Sequence, residues 1–345
     1  MEKNRLKILP QRLLGWYETA ARDLPWRVDR VPYHVWLSEI MLQQTRVEAV
    51  KPYYARFLAA LPTIQDLANA PYEQVQKLWE GLGYYSRARN LQKAAQVICQ
   101  EHNGVFPTEY ESIRALPGIG DYTAGAISSI CFEMPTPAVD GNVLRVISRL
   151  CAMRECVDEP KVKRAVTDAL RAVYPEGSCG SFTQSLMELG ATVCLPNGAP
   201  KCEACPLKDD CRAYLEHNVA SFPVRKTKKG RREEELTLFL LYCDGKLALR
   251  KRPGSGLLAG LWEFPYVLGT LQTDSALQAV RDFGCEPVNL RSVREKGHVF
   301  THVEWKMRAY DLDVRAIDDD LVWVTKKQLQ EEYALPTAFR QFLAE

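Results

Sequence analysis

The chain has 345 residues, 46% of them hydrophobic and 26% charged, a balance typical of soluble globular proteins of about two domains, so disorder and collagen-like structure are excluded. No apolar run approaches the roughly 18 residues of a transmembrane helix, and Met1–Trp16 has no continuous apolar block, so neither a membrane span nor a secretory signal is expected. The 45 basic and 43 acidic residues leave a net charge of +2, so any case for nucleic acid must rest on local placement.

Residues 1–215 read as mostly helical. The segment Trp36-Leu37-Ser38-Glu39-Ile40-Met41-Leu42 is an apolar helix carrying one acid. Two readings of Glu39 stand: an exposed helix carboxylate, or a buried one whose pKa is raised enough to make it an acid. Thr45 and Glu48 form a capping box before Val47, Val50 and Phe57. Leu91, Ala94, Ala95 and Ile98 recur at helical spacing, as do Val143, Leu144, Ile147 and Leu150. Between these runs, Leu116-Pro117-Gly118-Ile119-Gly120 precedes a helix through Ala126, Ile127 and Ile130. Pro117 fixes one backbone angle, and Gly118 and Gly120 permit unusual ones. The pattern reads as a helix–hairpin–helix whose backbone N–H groups suit a DNA phosphate. Asp140, in Ala138-Val139-Asp140-Gly141-Asn142-Val143, is the expected N-cap of helix 141–150. A capping carboxylate is held rigid, which also suits it to face a developing cation.

Eleven cysteines in a chain without an export signal suggest metal or cofactor ligands in a reducing cytoplasm rather than disulfides. Four of them, Cys194, Cys202, Cys205 and Cys211, fall together as C-x7-C-x2-C-x5-C, with Pro196, Pro200 and Pro206 between them. Four thiolates on one loop suit zinc or an iron–sulfur cluster, and the spacing alone does not separate the two. Lys201, Lys208 and Arg212 lie around the ligands and are expected to give the loop positive charge. The remaining cysteines are scattered and read as packing residues.

Residues 223–232 change character. Arg225, Lys226, Lys228, Lys229, Arg231 and Arg232 form a basic run, either a solvated tether or one that also touches phosphates. Beyond it the period becomes two: Glu234-Leu236-Leu238-Leu240 and Val299-Thr301-Val303-Trp305 alternate as strands. A short helix through Leu277, Val280 and Arg281 ends at Gly284. This is a separate α+β domain.

Glu39 in SEIMLQQT, the hairpin LPGIGDYTAGAI, Val139-Asp140-Gly141-Asn142 and the four cysteines resemble the endonuclease III superfamily of DNA glycosylases. Arg27 in LPWR, Tyr84 in GLGYYSRARNL and the C-terminal segment narrow the resemblance to the MutY family of adenine glycosylases. It covers nearly the whole chain. It implies a multidomain fold: a helical glycosylase region at 1–215, a basic linker at 216–232 and a MutT (Nudix)-like domain at 233–345. Within the first, it implies a six-helix core at about 26–132 and an iron–sulfur domain from about 1–25 and 133–215. The implied cofactor is a 4Fe–4S cluster on Cys194, Cys202, Cys205 and Cys211. The implied partner is duplex DNA containing adenine opposite 8-oxoguanine or guanine. A monomer in a bacterial cytoplasm, associated with the nucleoid, is expected.

By the same resemblance, Glu39 protonates adenine at N7 and Asp140 stabilises or transiently bonds the sugar. Tyr122 and Asn142 assist. Strand-cutting members carry a nucleophilic lysine where Tyr122 stands, and a phenol forms no Schiff base, so a monofunctional enzyme is implied. Arg27 and Gln184 look like adenine-pocket residues. Gln44 and Tyr84 look like residues inserted near the 8-oxoguanine, and Leu116, Gly118 and Gly120 like hairpin contacts to DNA. Phe300, Thr301 and His302 match the segment that contacts 8-oxoguanine. In the C-terminal domain Gly260-Leu261-Trp262-Glu263-Phe264-Pro265 matches the strand before a Nudix box. The box positions themselves are Leu277, Gln278, Arg281 and Asp282, and a lone Asp282 does not hold the magnesium of pyrophosphate hydrolysis. The family's first cysteine gap is six, whereas here it is seven. Pro196, Gly198 and Pro200 are available to absorb the extra residue. A thymine mismatch glycosylase and a non-catalytic sensor of oxidised DNA are the alternative readings. Gln184 and the MutT-like domain speak against the first.

Overall fold

The computed structural model describes residues 3–196, 199–227, 230–317 and 320–343. The chain divides into two compact units: residues 1–69 with 90–227, and residues 70–89 with 228–345.

The first unit is helical. Its core gathers Leu9 and Leu13 of helix Leu9–Ala20, Val143, Ile147 and Leu150 of helix Gly141–Leu150, and Phe182, Leu186 and Leu189 of helix Cys179–Thr192, all close to fully buried. Each such side chain contributes roughly 1.5–3 kcal/mol by leaving water. The i, i+4, i+7 spacing of the latter two sets, and the four-residue spacing of Leu9 and Leu13, send each to one face. Helix Pro32–Leu42 is different: every residue from Val35 to Met41 is buried, including Ser38 and Glu39. A helix apolar all round lies inside the protein.

The hairpin forms as expected between helices Tyr110–Ala115 and Asp121–Phe132. Gly118 has φ +78°, and a Cβ there would stand 2.6 Å from that of Asn90, so glycine is required twice over. Gly120 departs from the expectation. As the N-cap it is extended, at φ −102° and ψ 179°, a conformation open to any residue. The capping box at Thr45 and Glu48 also does not form. Thr45 N–H turns back to Leu42 O and its hydroxyl donates to Gln43 O, so the chain enters helix Val47–Ala60 one residue later, with Arg46 as N-cap.

The second unit holds a seven-stranded mixed sheet: β1 (Arg232–Cys243), β2 (Lys246–Lys251), β3 (Trp262–Glu263), β4 (Tyr266–Leu268), β5 (Cys285–Val299), β6 (Val303–Ala316) and β7 (Val322–Val324). The main path runs β3-β2-β1-β6-β5, with β4 on β1 and β7 on β2. β1 and β6 are parallel, from Arg232 opposite Val303 to Tyr242 opposite Asp313. Alternation sends Leu236, Leu238 and Leu240 to one face, against Trp305, Met307 and the tail residues Leu335, Ala338 and Phe339. Phe239 and Leu241 go to the other, against Ala276 and Val280 of helix Thr273–Asp282. That helix is followed by Gly284 at φ +76°. The expected continuous strand Val299–Trp305 is instead a hairpin. β5 ends at Val299, β6 begins at Val303, and Phe300 N–H closes the turn on Val303 O. Period two cannot distinguish a strand from two strands joined by a turn that keeps the alternation.

Candidate active site

Two helices present the same kind of face to one cavity of about 180 Å³. Val35, Ser38, Glu39 and Leu42 come from helix Pro32–Leu42, and Gln184, Met187, Glu188 and Ala191 from helix Cys179–Thr192, both at i, i+3, i+4, i+7. Arg27, Tyr122, Asp140 and Asn142 also line it. Six sequence candidates therefore meet in one cavity: Glu39, Asp140, Tyr122, Asn142, Arg27 and Gln184.

Glu39 is 6% exposed. Burial pushes its carboxyl up to about 7, and the nearby Asp140 adds to the rise, while a hydrogen bond from Tyr122 and the charge of Arg27 oppose it. Of the two readings of Glu39, the buried acid is the one the fold adopts. Tyr122 is itself driven well above its ordinary value by burial and by both carboxylates, so its phenol stays a donor.

Asp140 caps helix Gly141–Leu150 as expected. Its Oδ1 accepts from Asn142 N at 2.9 Å and Val143 N at 2.8 Å, and its Oδ2 accepts from Asn142 Nδ2 at 2.7 Å. Burial raises its pKa, and these three bonds, with the charge of Arg145, oppose that rise by favouring the carboxylate. Asn142 is held in turn by Arg145 Nη2, which donates to its Oδ1 at 2.9 Å. A side chain at Gly190 would bring a Cβ within 2.7 Å of that of Asn142, so only glycine lets helix Cys179–Thr192 approach this closely.

The wall opposite is an ion-pair network not visible in the sequence. Glu188 is fully buried and pairs with Arg22 (Nε–Oε1 2.5 Å) and Arg27 (Nη2–Oε2 2.8 Å). Burial would raise its pKa, but the hydrogen bonds and charges of the two arginines outweigh that and hold it below the ordinary value. Tyr17 donates to Gln184 Oε1 at 3.3 Å and lies under Arg27. The available signal was positional: Glu188 follows Gln184 by four on one helix.

The four cysteines also come together. Cys194, Cys202, Cys205 and Cys211 line a largely apolar cavity of about 30 Å³ with Val146, Leu150, Leu189 and Val193. No group of three or more His, Cys, Asp or Glu side chains among the described residues is arranged to hold a metal ion. Arg149 Nη1 donates to Cys194 Sγ at 3.2 Å, and Arg145 Nε to Cys194 O at 2.7 Å. Both arginines stand on the helix that Asp140 caps. The expected positive charge is largely neutralised, since Lys208 pairs with Glu203 and Arg212 with Glu216. Gly198, named as able to absorb the extra loop residue, lies outside the described residues. At the basic run, Arg225 and Lys226 are pinned to Asp158 and Glu159, while Lys228 and Lys229 lie outside the described residues.

Gln44 is exposed, at φ +57°, and Leu116 is buried in the hairpin. Tyr84, Phe300, Thr301 and His302 belong to the second unit, where all four line a cavity of about 550 Å³. Tyr84 is 43% exposed, at φ +47°, and its hydroxyl lies 2.5 Å from Thr301 Oγ1. Phe300 packs between His298 and Trp305. Asp282 takes a bond from Gln278 at 3.2 Å on the exposed side of its helix. It has no acidic companions at the other box positions.

Residues 37–172 match the family model of the HhH-GPD superfamily of base excision DNA repair proteins, and residues 237–345 match that of the NUDIX domain. An adenine DNA glycosylase of Rattus norvegicus is 37% identical over 88% of this chain and 70% of its own. Among solved structures, a thermostable thymine-DNA glycosylase aligns with TM-score 0.57 at 29% identity, over 62% of this chain and 98% of its own. A trapped endonuclease III–DNA covalent intermediate aligns with TM-score 0.54 at 25% identity, over 63% and 99%.

Proposed function

The chain belongs to the adenine DNA glycosylase family, and from that premise we propose that it excises adenine paired with 8-oxoguanine, more slowly adenine paired with guanine, and leaves the abasic strand uncut. It is a DNA N-glycosylase of base excision repair and DNA is its partner. The observation that carries the mechanistic reading is the buried Glu39 in the same cavity as Tyr122 and the helix-capping Asp140.

The adenine leaves the stack and enters the cavity, since its reacting atoms are out of reach inside a duplex. Near neutral pH Glu39 is about half protonated, and it gives its proton to adenine N7. The pair of the C1′–N9 bond departs with the base. The sugar becomes oxocarbenium-like, and the Asp140 carboxylate faces it, in the two-carboxylate logic of glycosidases. Water then adds at C1′ and Glu39 takes its proton, so the net reaction consumes one water. Arg27 and Gln184 orient the base, and the Glu188 network keeps Arg27 in place. Tyr122 carries no amine, which supports an enzyme without strand cleavage.

Four thiols around an apolar cavity, one of them hydrogen-bonded by Arg149, support a 4Fe–4S cluster. Cys194, Cys202, Cys205 and Cys211 would hold it, and bound there it would supply four iron–thiolate bonds that fix the loop.

The test is single-turnover base release from duplexes carrying A:8-oxoguanine, A:G and T:G, with a brown protein as the cofactor's sign. The expected order is A:8-oxoguanine, then A:G, with intact strands before alkali and no thymine released. Faster thymine release, or strand breaks without alkali, would overturn the reading.

A further inference from the structure

Glu80 closes a ring of contacts within the second unit. Its side chain is 6% exposed and both oxygens are engaged. Oε1 accepts from Leu335 N at 2.8 Å, while Oε2 pairs with Lys77 at 2.9 Å and with Arg340. Lys77 also donates to Leu329 O and Tyr333 O. One carboxylate thus ties the segment 70–89 to the tail 329–340.

Two routes lead from it to the same point. Along the tail, Phe339 packs on Trp305 at 5.8 Å and Trp305 on Phe300 at 4.8 Å, and Thr301 follows. Along the segment, Gly81 (φ +101°) and Gly83 (φ +72°) turn the chain into Tyr84. The routes meet where Tyr84 and Thr301 share their hydrogen bond. Arg89 Nη2 to Ala259 O at 2.9 Å and Gln76 Nε2 to Gly260 O at 3.1 Å hold the segment on a third side. A buried carboxylate bonded by two cations and a backbone N–H fixes geometry more firmly than an exposed pair, because each partner lost leaves charge unsatisfied in a dry site.

We propose that Glu80 is a positioning residue for recognition of the base opposite adenine: by tying the tail to the Tyr84 segment it sets the Tyr84–Thr301 pair in register. This rests on the proposed role of Tyr84 and Thr301 at 8-oxoguanine. Glu80 touches no substrate. Its effect therefore falls on the preference for 8-oxoguanine and leaves the chemical step alone.

The experiment uses the full chain and compares wild type, Thr301→Val, Glu80→Gln and the double variant. Single-turnover rates are measured on A:8-oxoguanine and A:G duplexes, with thermal unfolding to confirm the folded state. Glu80→Gln keeps an acceptor for Leu335 N and removes the charge. Arg340→Gln, which cuts one tie from its half-exposed end, stands in if Glu80→Gln does not fold. Thr301→Val should lower the preference about tenfold, the equivalent of a hydrogen bond lost with its geometry. Glu80→Gln should lower it severalfold with the A:G rate kept. The double variant should be no worse than Thr301→Val alone, because both act through one contact. An unchanged preference in Glu80→Gln beside a lost one in Thr301→Val would overturn the proposal. So would multiplicative losses in the double variant, the mark of a general structural role. A wild type with no preference, or an inert Thr301→Val, would instead sink the underlying reading of the pair, and the proposal with it.

Discussion

The catalytic cavity and the Tyr84–Thr301 cavity solve different problems with different chemistry. The first is built of charge: Glu39, Asp140, Glu188, Arg22 and Arg27, with the carboxylate Asp140 held by a helix start and Glu188 by two guanidinium groups. The second is lined mainly by aromatic rings, hydroxyls, histidines and aliphatic side chains, with Arg89 its one charged group, and includes Tyr84, Phe300 and Thr301. Moving a proton and steadying a cation need ionisable groups with shifted pKa values. Reading a neutral base needs hydrogen bonds and stacking surfaces. Substitutions in the first region should therefore change rate and pH dependence, and those in the second should change substrate preference.

The largest expected effect separates the regions most sharply. Asp140→Asn keeps an acceptor for the helix cap and removes the charge. Single-turnover adenine excision should fall by roughly 10³-fold, the scale of an electrostatic contact made in the transition state, while binding to A:8-oxoguanine duplex remains. A variant within tenfold of wild type would remove Asp140 from the chemistry. Next comes Thr301→Val, with its tenfold loss confined to preference. An equal loss on A:G would show that the second cavity is not a separate reader. A third effect is on stability. Glu39 has a folded pKa of about 7 against an ordinary value of 4.5. Below pH 4.5 it is protonated in both states. Between there and 7 the folded chain retains a proton the unfolded chain releases, so stability falls as pH rises, and the cost is complete above 7. Glu39→Gln should thus be more stable than wild type above pH 7, by about 3 kcal/mol at most. The gain should fade toward pH 4.5 in denaturant titrations. A difference independent of pH would mean that the carboxylate is not buried at a cost.

The catalytic region was legible where a residue type was out of keeping with its surroundings. An acid in the apolar run Trp36–Leu42, an Asp before a helix and four crowded cysteines each stand out in one dimension. The structure places the two acids in one cavity and the four cysteines around another. Glu188, Arg22 and Arg145 were not legible, because an acid or arginine on a helix looks the same whether it faces water or a buried partner. The Thr45 capping box failed because Thr45 is drawn back into the turn at Leu42, which leaves Arg46 as the N-cap. The hairpin at Phe300–His302 was hidden because the alternation continues through it. Least legible was the grouping of residues 70–89 with the C-terminal unit, which follows from single contacts such as Glu80 with Leu335, about 250 positions apart.

The most direct test of Glu39 as the proton donor is the pH dependence of single-turnover adenine excision from an A:8-oxoguanine duplex, wild type against Glu39→Gln. The wild-type rate should be level at acid pH and fall about tenfold per unit above about pH 7, as one required proton is lost. Glu39→Gln should be slow and show no such limb. A wild-type rate that is flat or rising across pH 7, or a Glu39→Gln profile with the same limb, would contradict that assignment.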